Sequence, residues 1–98
     1  MRTIRTANLH RESSSYAMAL VEHNYRQFKI VHEFYNANET CNAYLLTDKG
    51  WEKVFNLSDL GEPPRVDAYN VLDKSMRYVC ANQRIDKMKY LVKDLRVV

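Results

Sequence analysis

The feature that most constrains this chain is an alternation of apolar and polar residues between positions 25 and 35. One set of alternate residues there is apolar except for a histidine: Phe28, Ile30, His32 and Phe34. The residues between them are mostly polar: Lys29, Val31, Glu33 and Tyr35. Successive side chains of a β-strand point to opposite faces, so this period of two predicts a half-buried strand.

Similar alternation extends over most of residues 14–57 and predicts further strands. Gly50 lies between two apolar runs, where a hairpin turn needs a positive φ, so residues 41–57 predict a hairpin. In its second strand, Trp51, Lys53 and Phe55 are expected to share one face. Residues 36–39 predict another turn. Residues 14–21 fit either a strand, joined to the next by a turn at residues 23–24, or a helix; the strand is favoured.

The apolar spacing changes after residues 58–64, a connection that holds both prolines and the second glycine. Residues then recur at steps of three and four, as on a helix: Tyr69, Leu72, Met76, Val79 and Cys80. Residues 82–84 interrupt that spacing. A second stripe, formed by Ile85, Met88, Val92 and Leu95, predicts either another helix or a final strand over 89–98, and the helix is favoured.

These patterns predict an α+β fold in which a small antiparallel β-meander of three or four strands packs against C-terminal helix or helices. With 98 residues, the chain is expected to form a single domain over 1–98. Residues 1–12 are expected to be a loose N-terminal arm or a short strand.

The formal net charge of +3 is unevenly distributed along the chain. Residues 1–31 carry a net charge of +3, residues 32–73 carry −5, and residues 74–98 carry +5. A basic terminal segment is one signature of nucleic-acid binding. The candidate nucleic-acid-binding residues are therefore the cations of this segment and the tyrosine among them: Arg84, Lys87, Lys89, Tyr90, Lys93 and Arg96. A solvated helix surface has the same appearance.

Motifs for catalysis, metals and cofactors are not found in the sequence. Two glycines cannot form a phosphate-binding loop, and no close cysteine and histidine spacing fits a metal site. His32 and Glu33 are adjacent on a strand and point to opposite faces, while His10 lies in a polar segment and His23 in a predicted turn. We therefore predict no enzyme activity, no cofactor and no metal site; a small hydrolase or ribonuclease-like activity is the minor alternative.

Cys41 and Cys80 are expected to be reduced, and no apolar signal region follows the basic N-terminus, so a cytoplasmic protein is predicted. No apolar run is long enough for a membrane span, and no membrane partner is expected.

The seven tyrosines are the most distinctive chemical feature of the sequence. Tyrosine combines apolar area with a hydroxyl group and is enriched at protein interfaces. The candidate protein-interface residues are Tyr35, Tyr44 and Trp51. The first hypothesis is therefore a small non-catalytic interaction protein that regulates or inhibits a larger macromolecule by surface binding, with a protein partner. The second is a nucleic-acid-binding module that uses residues 74–98. Self-association through a strand edge remains open.

Overall fold

A computed structural model describes residues 1–11, 14–35, 38–56 and 74–95, with side chains in the last range from residue 82 onwards. Five strands are followed by one helix in the described part of the chain. The elements are β1 (Arg2–Arg11), β2 (Ser14–His23), β3 (Arg26–Tyr35), β4 (Asn38–Thr47), β5 (Gly50–Asn56) and α1 (Lys74–Asp94). The strands form one antiparallel sheet in the order β1-β2-β3-β4-β5.

The predicted α+β meander is confirmed, but the sheet has five strands rather than three or four. The additional strand is β1, a ten-residue edge strand whose side chains are exposed on both faces except for the half-buried His10. A strand without a buried face has no apolar alternation, and this explains why the sequence pattern did not reveal it. Residues 14–21 belong to a strand, as favoured.

The turns explain how the strands align. Gly50 has a φ of +106° after the turn at Asp48 and Lys49, which confirms the predicted hairpin. The β2–β3 hairpin has its turn at Asn24 and Tyr25, one residue later than predicted, and both residues have positive φ. Two positive φ values in a two-residue loop match the twist of antiparallel strands. In the predicted turn at 36–39, residues 38 and 39 already belong to β4.

One face of the sheet packs against α1. The core consists of alternate residues from the three central strands together with three apolar residues of the helix: Ala17, Ala19, Val21, Phe28, Ile30, Cys41, Ala43, Ile85, Met88 and Val92. A single continuous helix spans residues 74–94, so the predicted interruption at 82–84 is wrong. The apolar spacing breaks there because a buried position of the helix is occupied by Arg84 rather than by an apolar residue.

The predicted faces of β3 are confirmed, but those of β5 need a correction. A register shift between Ala43 and Tyr44 places Phe55 opposite Ala43, on the side of the helix. Lys53 instead pairs with Tyr44 and Trp51 pairs with Leu46, so both lie on the other side of the sheet. A bulge of this kind changes the face on which the following residues lie.

The helix contacts β2 most, followed by β3 and β4, and it makes fewer contacts with the edge strands β1 and β5. The connection at 58–64, Tyr69, Leu72 and Arg96 lie outside the described residues. In the part of the chain that is described, no helix has the length and hydropathy needed to span a membrane.

Candidate functional site: an aromatic and basic sheet face

The sheet face opposite α1, here called the outer face, carries many large apolar and aromatic side chains. The alternation of the strands and their register place on it Leu9, Tyr16, Met18, Leu20, Val31, Tyr35, Tyr44, Leu46 and Trp51. No described helix covers this face. Tyr35 is 63% exposed and Trp51 is 37% exposed. Contiguous apolar surface of this kind is typical of a binding site.

All three candidate interface residues lie on the outer face, but the structure does not bring them together. Tyr44 on β4 and Trp51 on β5 are diagonal neighbours close to the β4–β5 turn. Tyr35 lies six residues further along β3 than Lys29, the cross-strand partner of Tyr44. At a rise of about 3.4 Å per residue, this separation is about 20 Å. Tyr35 instead lines a shallow depression of about 230 Å³ together with Leu9 and Tyr16.

Lys29 joins the other two aromatic residues into one cluster. Its Nζ atom lies 5.5 Å from the centroid of the Tyr44 ring and 4.8 Å from that of the Trp51 ring. Both distances are within the range of cation–π attraction. The contacts hold a cation and two rings together on a largely open surface, so the cluster can offer a charge and aromatic area to one ligand.

The register also aligns cations across the strands of the outer face. Arg5 on β1 pairs with Leu20 on β2, and Leu20 pairs with Lys29 on β3. Lys29 pairs with Tyr44 on β4, and Tyr44 pairs with Lys53 on β5. We call Arg5, Lys29 and Lys53 the cation row. It contains no acidic residue, and it crosses the strands at a right angle because antiparallel partners lie directly opposite one another.

The C-terminal candidates for nucleic-acid binding are divided by the structure. Lys87, Tyr90 and Lys93 are exposed on α1. The Nζ atom of Lys89 donates a hydrogen bond to Oγ1 of Thr3 at 3.3 Å and lies 3.9 Å from the Asp86 carboxylate.

Arg84 is separated from the exposed candidates because it is buried toward the sheet. Arg84 therefore has a structural role and is not part of an exposed binding surface. Tyr90 and Lys93 line an open depression of about 490 Å³ together with Met1, Asp86 and Lys89.

A buried polar cluster connects the sheet to the helix on the covered face. Oε2 of Glu39 lies 3.5 Å from Nε2 of His32, and Oε1 of the same carboxylate lies 3.5 Å from Nε of Arg84. The side chains of His32 and Glu39 are fully buried, and that of Arg84 is 5% exposed. Glu39 thus links β3, β4 and α1 through one carboxylate.

Cys41 lies beside this cluster, opposite His32 in the strand register. Burial raises the pKa of the Cys41 thiol from 9.0 to about 12; the nearby Glu39 charge adds to this increase and the Arg84 charge opposes it. The thiolate is the nucleophilic form of cysteine, and at neutral pH this thiol is protonated. Cysteine, histidine and glutamate are therefore close together here, but their arrangement does not activate the cysteine.

The sequence analysis missed this cluster, although part of it could have been found. The register that pairs residue 35 with residue 38 also pairs residue 32 with residue 41, and it places Glu39 diagonally next to His32 on the same face. Diagonal neighbours on a sheet are within reach of long side chains. The contact with Arg84 could not have been found in this way, because it depends on how the helix docks.

Other chemical sites receive little support from the described ranges. Among residues 1–11, 14–35, 38–56 and 74–95, no three His, Cys, Asp or Glu side chains are arranged to hold a metal ion. Asp48 lies in the β4–β5 turn and Glu52 lies near the start of β5.

Comparisons with protein-family models, with curated proteins and with solved structures give no match to this chain.

Proposed function

We propose that this protein is a small non-catalytic interaction protein that regulates or inhibits a larger macromolecule by covering part of its surface. The outer face of the sheet makes the contact. The observation that carries the proposal is that α1 covers one face of the sheet, while the opposite face holds exposed Tyr35, Leu46 and Trp51. Burying such residues against a partner removes apolar area from water and stabilises the complex.

The composition of the outer face supports this function. Its exposed residue types, in particular Tyr, Trp and Arg, are those enriched in the buried centres of interfaces. The sheet is about 33 Å long and about 19 Å wide, as ten-residue strands and four strand spacings require. A partner covering most of that area would bury an amount comparable with an interface of standard size.

Affinity capture from a lysate with matched variants tests the proposal. The wild-type protein is compared with Trp51→Ala on the outer face and with Tyr90→Ala on α1, each with and without nuclease treatment. We expect the wild type and Tyr90→Ala to retain the same partner and Trp51→Ala to lose it. Far-UV circular dichroism and the melting temperature establish that each variant is folded. Equal capture by all three folded proteins would contradict the proposal.

A second variant helps to distinguish a loss of binding from a loss of folding. Tyr35→Ala changes the opposite end of the outer face, where the ring is 63% exposed. If both Trp51→Ala and Tyr35→Ala unfold the protein, these side chains belong to its core rather than to a binding surface, and the proposal fails.

A further inference from the structure

We propose that the outer face binds a single-stranded polynucleotide that lies across the strands along the cation row. This inference rests on the proposed function, because it uses the same surface, and it names the chemistry of the partner. The partner has two features that the outer face can recognise: a chain of negative charges and a series of flat aromatic bases.

The spacing of the cation row fits an extended polyanion. Arg5, Lys29 and Lys53 lie on β1, β3 and β5, so each is two strands from the next. With about 4.8 Å between neighbouring strands, the cations are about 10 Å apart and span about 19 Å in total. A chain laid across the strands would meet them one after another.

Aromatic rings accompany the cations on the same surface. Tyr44 lies between Lys29 and Lys53 in the row, and Trp51 lies in the adjacent row, with the Lys29 ammonium close to both rings. Single-stranded nucleic acids are bound by this combination, in which basic side chains follow the phosphates and aromatic side chains stack on the bases. The recognition tolerates different sequences because every base has a π-face.

The outer face has an excess of positive charge, which suits such a partner. The outer face carries a net charge of +3 from five basic and two acidic residues: Arg2, Arg5, Arg11, Lys29, Lys53, Glu22 and Glu33. Glu22 is itself paired with Arg2 at 3.4 Å.

Among described residues 82–95, the exposed cations of α1 are interspersed with Asp86 and Asp94, and Lys89 lies 3.9 Å from the Asp86 carboxylate. No acidic residue interrupts the cation row, and this is the reason to place the nucleic-acid contact on the sheet.

An acidic protein segment would also be attracted to the cation row. It would not supply aromatic bases for Tyr44 and Trp51, and the position of these rings among the cations is the reason to favour a polynucleotide. The experiment therefore includes polyglutamate as a competitor.

The test measures binding of the full chain to fluorescein-labelled oligothymidylate and oligouridylate of about 15 nucleotides by fluorescence anisotropy at several salt concentrations. Three phosphate contacts predict a slope of about −2 in log affinity against log salt, or a loss of about 20-fold between about 50 and 200 mM. Trp51→Ala is expected to weaken binding by about 5- to 100-fold through lost stacking. The combined variant Arg5→Gln, Lys29→Gln and Lys53→Gln is expected to remove most of the salt dependence.

Variants of the helix surface provide the comparison. Tyr90→Ala and Lys93→Gln make equivalent changes on α1 and are expected to alter the affinity by less than about twofold, because these residues lie on the other side of the sheet. Trp51→Phe, which keeps an aromatic ring, is expected to retain more affinity than Trp51→Ala.

Several results would overturn the inference: no binding of either oligonucleotide, equal competition by polyglutamate, equal affinity for a duplex, or loss of binding in the α1 variants alone. The proposed function would survive any of these results if outer-face variants still lost a partner captured from nuclease-treated lysate. Failure of both experiments would reject the outer face as a binding surface.

Discussion

Replacing Arg84 with methionine should destabilise the protein far more than the same change at an exposed arginine. The Arg84 side chain is 5% exposed, and its Nε atom lies 3.5 Å from the fully buried Glu39 carboxylate. Methionine fills similar space but leaves that carboxylate in the core without its cation. Breaking a buried ion pair from one side costs about 3–5 kcal/mol. For a domain of this size, the expected decrease in melting temperature is about 12–40 °C.

Arg2→Met provides the matched control. Arg2 pairs with Glu22 at a nearly identical 3.4 Å, but its side chain is 71% exposed. Water screens this pair, so the loss is expected to stay below about 1 kcal/mol. Stability is measured by urea unfolding followed by circular dichroism.

A double variant separates the uncompensated charge from lost packing. Combining Arg84→Met with Glu39→Gln removes both charges, and it should be more stable than Arg84→Met alone. The reasoning would be refuted if Arg84→Met and Arg2→Met had equal effects, or if the double variant showed no recovery.

Two further perturbations test the hairpin turn and the buried thiol. Gly50→Ala should cost about 1–3 kcal/mol in urea unfolding, because a φ of +106° strains any residue with a Cβ although no atom lies within 4 Å of the added carbon; an unchanged midpoint would contradict this. The pKa of Cys41 is about 12 in the folded protein and 9.0 ordinarily, so the unfolded chain releases this proton first as the pH rises. The thiol's contribution is fully present below pH 9, and it falls by about 1.4 kcal/mol between pH 8 and 10 and continues to fall towards pH 12. Cys41→Ala should remove that part of the pH dependence, and an identical decline in both proteins would contradict the assignment.

Much of the sheet could be predicted from the sequence because burial of one face leaves a local signature. The alternation at 28–34 identified both β3 and its core face, and Gly50 identified the β4–β5 turn. β1 left no such signature, because α1 makes few contacts with it and its side chains are almost all exposed, so they were not constrained to alternate. The sequence pattern did not show that the helix is continuous, because Arg84 occupies one of its buried positions. The burial of Arg84 depends on Glu39, which lies on a distant strand.

The sequence by itself determined the strand and helix periodicities, the positive-φ glycine and the abundance of tyrosine and basic residues. Only the tertiary structure decided which of these residues became neighbours. Arg5, Lys29 and Lys53 are far apart along the chain, and they align because four strand pairings and two register shifts fix their positions. A register change of one residue would move a strand's side chains to the opposite face. Periodicity therefore specifies the two faces of each strand, whereas the composition of the outer face is a property of the assembled sheet.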